Sequence, residues 1–241
     1  MARHLSTLSP SIEHRIAAWQ QIQRRLLDQP KPKLRPTITL SRAFGCEGFP
    51  LAERLRKDFE GLTGEPWLVY DKALLEVVAK QEGVPLAELE RLGDVTRLET
   101  LGLANTNFYH QLAELDAVGK ALVQFAQLGN AIIVGRGGTV LTRGFRNCFH
   151  FRLDASFEYR TRSMAERLEL DASEAQELVR VNSRERDRFL SQHFKVNLSD
   201  ISLYDAVFNN ERHSVGEISA AIVAYVRRAW PEPALFAPRP D

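Results

Sequence analysis

Short apolar runs alternate along the chain with stretches in which apolar residues recur every three or four positions. Runs of β-branched and aromatic residues predict buried strands, whereas the three- or four-residue period predicts amphipathic helices. The predicted strands are 37–40, 67–70, 131–134, 149–153 and 204–208. The predicted helices are one that carries Leu51, Leu55 and Phe59 on a single face, and then 73–80, 108–128, 157–168, 172–194 and 215–229. This alternation is typical of an α/β fold in which helices cover both faces of a parallel sheet, here of roughly five strands.

An amphipathic helix precedes the first predicted strand. Ser11 is a suitable N-cap residue, and the breaker run Gln-Pro-Lys-Pro-Lys at 29–33 ends the helical pattern. The apolar positions of this helix are Ile12, Ile16, Trp19, Ile22 and Leu26. We expect residues 1–33 to form an N-terminal helix and proline-rich linker that packs on the main domain or on a partner. The main domain is predicted to span 34–230, and the proline-rich residues 231–241 to form a tail.

Composition narrows the class of protein. The chain has 241 residues, of which 44% are hydrophobic, and a formal net charge of +1. A general nucleic-acid binder usually has a basic excess, so we expect no nucleic-acid partner. No apolar run approaches the roughly 20 residues that span a bilayer, and the N-terminus lacks the apolar core of a signal peptide. These features predict a soluble cytoplasmic protein without a membrane partner.

The cysteines and histidines add no framework or metal centre to this picture. The chain has only two cysteines, Cys46 and Cys148, so the sequence predicts no disulfide framework. Its six histidines show no metal-ligand spacing. We therefore predict no metal site built from protein side chains.

A glycine-containing loop joins the first predicted strand to the next helix. Gly45, Cys46, Glu47 and Gly48 form its centre, where glycines let backbone N–H groups approach an anion at the positive end of a helix. The segment therefore predicts a phosphate-binding loop, although strand–glycine–helix turns also occur where nothing binds. Glu47 would repel a phosphate unless its carboxylate points away.

The residues after the loop depart from a full P-loop. Phe49 and Pro50 stand where that motif has its lysine and hydroxyl. Arg42, at the end of the first strand, could replace part of the missing positive charge. Cys46 has two interpretations: the helix terminus could favour its thiolate, or the residue is simply small enough for a tight turn.

Charged residues also follow the other predicted strands. Ligands of open parallel sheets bind beyond the carboxyl ends of the strands, so these loops are expected to share one mouth. Asp71 either caps the next helix or contacts a ligand. Arg136 lies between two glycines, a position that favours a functional role. Arg184 and Arg188 are four residues apart on a predicted helix, where they either grip one anion or belong to a solvated face with internal ion pairs.

A set of motifs runs in a fixed order from about residue 37 to about residue 226. Its members are Ser41-Arg42-x-Phe44-Gly45-x-x-Gly48, Leu51-Ala52-x-x-Leu55, Tyr70-Asp71-Lys72, Ile133-Val134-Gly135-Arg136-Gly137, Phe151-Arg152-Leu153-Asp154-Ala155, Arg160, Arg162, Arg184-Glu185-Arg186-Asp187-Arg188 and Tyr204-Asp205-x-x-x-Asn209. This ordered set resembles the cytidylate kinase-like family. The resemblance implies a three-layer fold of the P-loop nucleoside monophosphate kinase type, with a helical lid at about 170–198.

The resemblance also implies an activity and a distribution of roles. The family's better-known members transfer the γ-phosphoryl group of ATP, with Mg²⁺, to a nucleoside monophosphate. The loop from Gly45 to Gly48 would cradle the donor phosphates. Asp71, Arg136 and Arg160 would belong to the acceptor site. The catalytic set would be Arg42, Arg184, Asp187 and Arg188, of which Arg184 and Arg188 are lid arginines and Asp187 holds them or the acceptor sugar.

Three departures from the pattern of true cytidylate kinases, or of the cytidylate kinase-like branch, leave alternatives to an active kinase. Phe49-Pro50 removes the loop lysine and hydroxyl of true cytidylate kinases, although members of the branch often lack that lysine as well. Cys46-Glu47 replaces the small Ser-Gly pair usual in the branch, and Gly137 replaces an aspartate of true cytidylate kinases that would face a pyrimidine. The first alternative is a nucleotide-binding pseudokinase or sensor without turnover. The second is an interaction module that has lost its ligand. In either case the N-terminal helix could mediate homo-oligomer formation or dock a protein partner.

Overall fold

The computed structural model describes residues 12–13, 15–17, 20, 35–71, 73–75, 117–194 and 196–230. Within them the strands are β1 (Thr37–Arg42), β2 (Leu68–Tyr70), β3 (Ala131–Val134), β4 (Cys148–Asp154) and β5 (Ala206–Asn209). The helices are α1 (Gly48–Thr63), α2 (Ala117–Leu128), α3 (Gly138–Leu141), α4 (Phe157–Leu168), α5 (Ala172–Phe194) and α6 (Val215–Ala229). Ile201–Leu203 form a short 3₁₀ helix, and residues 12–13, 15–17, 20 and 73–75 are also helical.

The strands form one parallel sheet in the order β2-β3-β1-β4-β5. β1 is central: Leu40 aligns with Val134 of β3 on one side, and Arg42 with Leu153 of β4 on the other. The loop that follows β1 therefore lies in the middle of the carboxyl edge of the sheet. The segments that follow β2, β3 and β4 surround it. This topology confirms the predicted parallel, five-stranded α/β fold.

Most predicted element boundaries agree with the structure. The pattern located β3, α4, α5 and α6 at the observed bounds, and the helix with Leu51, Leu55 and Phe59 buried is α1. The last strand begins two residues later than predicted, because Tyr204 closes the 3₁₀ turn by donating its backbone N–H to the Ile201 carbonyl at 3.1 Å. Parts of the predicted helices 73–80 and 108–128, and the tail 231–241, lie outside the described residues.

Alternate residues of the strands feed two apolar cores on opposite faces of the sheet. Ile132 and Val134 of β3 pack with α1 and α6, whereas Ala131 and Ile133 pack with α2. This is the two-residue period of a strand buried on both sides. The result is a three-layer α/β architecture in which both helical layers are anchored to β1 and its neighbours.

Two further elements pack around this body near the carboxyl edge. Ile12 and Ile16, from the N-terminal helical segment, pack against the core cluster that includes α2. Met164, Leu168 and Val179 form a small cluster between α4 and α5, and Phe44 from the glycine loop packs against it. None of the helices within the described residues combines the length and apolarity that crossing a bilayer requires.

A buried polar group interrupts the core beneath α3. Thr39 Oγ1 of β1 lies 2.8 Å from His150 Nδ1 of β4 and 3.1 Å from Thr139 Oγ1 of α3. Burial lowers the pKa of His150 from 6.5 to about 4; nearby Asp205 opposes this shift and Arg143 adds to it. His150 is therefore a neutral, hydrogen-bonded core residue at physiological pH.

We expect His150 to make the protein sensitive to mild acid. In the unfolded chain this histidine takes up a proton as the pH falls below about 6.5, whereas in the folded chain it stays neutral to about 4. Its contribution is thus complete above pH 6.5 and falls as the pH drops, by about 2 kcal/mol between pH 7 and pH 5. Urea unfolding of the wild type and of His150→Asn, which cannot titrate, measures this difference. Equal losses of stability in the two proteins would contradict the assignment.

Candidate functional site

A pocket of about 230 Å³ opens at the carboxyl edge of the sheet, next to the loop after β1. It collects residues from that loop, the ends of β2 and β3, and helices α4 and α5. The lining residues are Arg42, Ala43, Phe44, Gly45, Cys46, Gly48, Phe49, Asp71, Val134, Met164, Arg167 and Arg186. The sheet thus brings three of the four predicted loops to one mouth, as the topology requires.

The loop between β1 and α1 is a tight turn that depends on glycine. Gly45 has a φ of 99°, and a Cβ added there would lie 2.7 Å from Cβ and 2.8 Å from the carbonyl oxygen of Arg160 in α4. A Cβ on Gly48 would lie 2.9 Å from Cδ of Arg42. The two glycines therefore let α4 approach the loop from one side and the Arg42 side chain from the other.

The acidic loop residue Glu47 is held away from the pocket centre. Its backbone N–H donates to Asn210 Oδ1 at 2.8 Å, and its carboxylate accepts from Asn210 Nδ2 at 3.2 Å and from the Tyr159 hydroxyl at 3.3 Å. Glu47 is also absent from the lining of the pocket. The carboxylate consequently fastens the loop to the segment after β5 and to α4.

Arg42 brings a positive charge from the end of the central strand into the pocket. Its guanidinium lies beside Gly48 and so close to Gly135 that a Cβ there would collide with it. Within the described part of the chain, no carboxylate is ion-paired with Arg42, and its guanidinium donates no hydrogen bond. Burial lowers its pKa, which Asp71 partly raises again and Arg136 lowers further. A guanidinium that is desolvated and has no described carboxylate partner attracts an anion.

Arg186 and Arg167 add two more guanidinium groups to the same pocket. Arg186 of α5 donates a short hydrogen bond to the Arg42 carbonyl and lies over the Phe44 ring at 5.8 Å. Burial lowers the pKa of Arg186 to about 9, and the like charges of Arg42 and Arg152 contribute. Burial also lowers the pKa of Arg167 on α4. Neither side chain forms an ion pair with another described residue, so the described part of the pocket carries excess positive charge.

Of the described residues that line the pocket, Asp71 is the one that carries a carboxylate. It accepts from Arg15 of the N-terminal segment, at 2.6 Å on Oδ1 and 3.1 Å on Oδ2. Its Oδ1 also accepts the Leu74 backbone N–H at 3.0 Å, so it caps the helical turn at 73–75. Arg136 follows β3 with a φ of 55°, beside the pocket wall formed by Val134.

The remaining predicted site residues lie around the pocket rather than in it. Arg160 donates to the Phe44 carbonyl at 3.1 Å and to the Ala155 carbonyl at 3.2 Å, so its guanidinium holds the glycine loop to α4. Arg184, Asp187 and Arg188 are exposed on α5. Arg186, two positions away from both arginines, is the residue of this segment that lines the pocket.

Cys46 lines the pocket as a neutral thiol. Its side chain is buried, and desolvation raises its pKa to about 12; Asp154 adds to this rise and Arg160, Arg152 and Arg186 oppose it. A thiol with this pKa is not a nucleophile at neutral pH. The structure therefore supports the interpretation of Cys46 as a small residue in a tight turn.

Sequence reasoning missed Arg15, Arg167 and Arg186 as site residues. Arg15 had a detectable signal, because it lies three positions after Ile12 and is therefore a cation on the apolar face of its helix. Arg186 could not be separated from its neighbours, since a predicted helix does not reveal which of its faces meets the loop. Arg167 belongs to no motif, and only the packing of α4 against the loop brings it to the pocket.

The pocket suits phosphate groups better than a resident metal ion. Within the described residues, no three His, Cys, Asp or Glu side chains are grouped so as to hold a metal. Among the described residues, Asp71 is the single carboxylate of the lining, and it is already paired with Arg15. The described residues would therefore leave most of the oxygen ligands of a Mg²⁺ ion to its phosphate ligand and to water.

We expect Gly45→Ala to disrupt the loop, because the substitution combines a positive φ with a collision against α4. The expected loss of stability is at least about 2 kcal/mol. Gly61→Ala is the matched control, since nothing lies within 4 Å of its added Cβ and an exposed helical alanine stabilises by roughly 0.5–1 kcal/mol. Thermal unfolding measures both. A Gly45→Ala protein as stable as the wild type would refute the described loop geometry.

Comparison with solved structures places the fold among known ones. A protein described as uncharacterized, from Eubacterium ventriosum, is 18% identical with a TM-score of 0.62, and the match covers 80% of this chain and 99% of that chain. Shikimate kinase from Bacteroides thetaiotaomicron is 13% identical with a TM-score of 0.42, and the match covers 80% and 98% of the two chains. TT1252 from Thermus thermophilus is 16% identical with a TM-score of 0.41, over 81% and 98%.

Sequence comparison identifies the family directly. No protein with a curated description matches the chain. The sequence profile of the cytidylate kinase-like family matches residues 37–212, a region that runs from the start of β1 to just after β5 and contains the whole pocket. Because this region is most of the chain, the protein belongs to the cytidylate kinase-like family.

Proposed function

We propose that the protein is a phosphotransferase that transfers the γ-phosphoryl group of MgATP to a nucleoside monophosphate or a related small acceptor. The observation that carries this proposal is the cluster of Arg42, Arg167 and Arg186 around the glycine loop. Three cations without described carboxylate partners need an anionic ligand to offset their desolvation and mutual repulsion. A polyphosphate is such a ligand, because its charges are spread over several oxygens.

The loop and the arginines would together bind the phosphate groups of the ligand. The start of α1 would bring the positive end of a helix to the loop. The backbone N–H groups of Cys46, Glu47 and Gly48 already donate to Ala43, Asn210 and Cys46, so the arginines would supply most of the phosphate contacts. Arg42 and Arg186 can bind phosphate oxygens through their planar, multidentate guanidinium groups. Phosphoryl transfer requires chiefly positioning and neutralisation of charge, and these residues supply both.

Arg42 is our candidate to replace the lysine that the loop lacks. Phe49, at the lysine position, offers no positive charge, whereas Arg42 reaches the same loop from beneath Gly48. The replacement is not equivalent, because Arg42 approaches from the strand end rather than from α1. In this proposal Arg184, Asp187 and Arg188 act only after α5 moves, since all three are exposed in this conformation.

The residues on the acceptor side restrict the chemical class of the ligand less than those on the donor side. Asp71 and Arg136 follow β2 and β3 at the edge of the pocket, where an acceptor would meet the donor phosphates. Gly137 leaves no carboxylate there to select a pyrimidine. We therefore propose an acceptor class broader than cytidine nucleotides.

A second candidate function is nucleotide binding without turnover. It is favoured by Phe49, which removes the loop cation, and by Asp71, whose carboxylate is already occupied by Arg15. In this case the same pocket would bind a nucleotide as a signal. Binding experiments cannot separate the two candidates, so the decisive measurement is turnover.

We expect the wild type to bind MgATP and to form ADP when a suitable nucleoside monophosphate is added. Arg186→Met should weaken MgATP binding by on the order of tenfold or more, because a charged hydrogen bond is lost, and turnover by at least about a hundredfold. Arg228→Met, at an exposed position on α6, is the matched control and should change neither quantity. Calorimetry and a coupled assay over a panel of nucleoside monophosphates measure the two effects. Binding without ADP formation for every acceptor would select the second candidate, and absence of binding would reject both.

Arg42→Met should reduce nucleotide binding without lowering the melting temperature of the free protein. Removing an unpaired and partly buried guanidinium relieves a desolvation cost, so the free protein should melt at an unchanged or higher temperature. The same substitution should abolish the stabilisation that MgATP gives to the wild type. Thermal shift with and without nucleotide measures both values. A lower melting temperature together with unchanged nucleotide binding would show that Arg42 is a structural residue.

A further inference from the structure

The N-terminal segment reaches the candidate site from outside the family region. The profile match begins at residue 37, whereas Arg15 belongs to the helical residues that precede it. The Arg15 side chain is 9% exposed and ion-paired with Asp71 at 2.6 Å. Ile12 and Ile16, on the same side of the segment, pack against the core. The segment is therefore docked by apolar contacts and presents a buried cation to the pocket wall.

Arg15 touches two residues that line the pocket. Its guanidinium binds both oxygens of Asp71 and lies 5.3 Å from the centre of the Phe49 ring. It also donates to the Val69 carbonyl of β2 at 3.4 Å. Phe49 occupies the place of the missing loop lysine, so its aromatic face supports a cation that comes from another part of the chain.

Asp71 and Arg42 line the same pocket and attract each other. Among the described residues, Asp71 is the one carboxylate of the lining, and no carboxylate is ion-paired with Arg42. Without Arg15, the carboxylate of Asp71 would lose its described partner while lying in the same pocket as the Arg42 guanidinium. Opposite charges in such surroundings pair with each other, and a paired Arg42 would bind an incoming phosphate less well.

We propose that Arg15 is a positioning residue which, by holding Asp71, leaves the Arg42 guanidinium available for a phosphate group of the ligand. This inference rests on the anion-binding site of the proposed function and adds a residue that lies outside the family region. In this proposal the N-terminal segment contributes to phosphate binding through Arg15. When the segment is released from the domain, the Asp71 carboxylate pairs with Arg42 instead of Arg15. The affinity of the pocket for phosphate then falls.

The proposal is tested by calorimetric titration with inorganic tripolyphosphate in the absence of added metal. This probe contains the phosphate groups but no base, sugar or acceptor. The proteins are the full-length wild type, Arg15→Met, Asp71→Asn, and the double variant with both changes. Asparagine preserves the cap of the 73–75 turn, because it is as good an N-cap residue as aspartate. Arg54→Met, an exposed arginine of α1 paired with Asp58, is the control for the loss of one positive charge.

Arg15→Met should weaken tripolyphosphate binding by on the order of tenfold, because Arg42 becomes engaged by Asp71. Asp71→Asn should bind at least as tightly as the wild type, since it removes the competing carboxylate. The double variant should recover to within about threefold of the wild type. Arg54→Met should bind like the wild type. Rescue by Asp71→Asn is the decisive feature, because a purely structural role of Arg15 predicts none.

Several results would overturn the inference. One is wild-type affinity in Arg15→Met; another is a double variant that stays as weak as Arg15→Met. Circular dichroism and melting curves establish that each variant is folded. Arg15→Gln, which keeps a hydrogen-bond donor but not the charge, must weaken tripolyphosphate binding in the same way as Arg15→Met. If the wild type itself fails to bind tripolyphosphate, the proposed function and this inference fall together. Wild-type binding with an unaffected Arg15→Met removes the inference alone.

Discussion

Among the described residues, no carboxylate pairs with the guanidinium at the end of the central strand, and much of the surrounding structure keeps this group in its position. Arg42 lies under the glycine loop, between Gly48 and Gly135, where any larger residue would displace it. Desolvation makes this placement unfavourable for the free protein, and a nearby Arg186 increases the cost. In the proposed function an anion compensates for this cost, so stability and ligand binding would make opposite demands on the same residue.

The glycine loop is held in place both by its own hydrogen bonds, from Cys46 to Ala43 and from Gly48 to Cys46, and by neighbours on both sides. Arg160 of α4 binds the Phe44 carbonyl, and Asn210, after β5, binds both the backbone and the side chain of Glu47. These contacts explain how the loop accommodates Glu47, and they show a contact of Arg160 with the loop that the sequence did not predict. The Glu47 carboxylate points away from the pocket centre and forms structural hydrogen bonds. Arg160 holds the loop in place and does not line the pocket. A loop fixed in this way is prearranged for a ligand, which lowers the entropic cost of binding.

Helix α5 contributes a residue to the pocket lining, whereas the N-terminal segment contacts lining residues from outside it. α5 brings Arg186 over Phe44 and onto the carbonyl of Arg42. The N-terminal segment brings Arg15 onto Asp71, with Phe49 beneath its guanidinium. Only the first of these elements belongs to the region shared with the cytidylate kinase-like family. The surroundings of the pocket therefore combine residues of the family region with a contact from the segment before β1.

The sequence by itself determined the layers, the strands and the location of the site. Hydrophobic periodicity gave α4, α5 and α6 at their observed bounds, because burial of an apolar face fixes the span of a helix. Glycine spacing located the loop, because only glycine tolerates the φ of 99° at Gly45 and the approach of α4 to it. What only the tertiary structure decided is which charged groups meet. The four-residue spacing of Arg184 and Arg188 says that they share a face, but the packing of α5 turns Arg186 toward the pocket instead. Arg15 and Asp71 are 56 residues apart, and their pairing depends on where the N-terminal segment docks. Local patterns encode burial, whereas contacts between distant charges depend on how the buried elements are assembled.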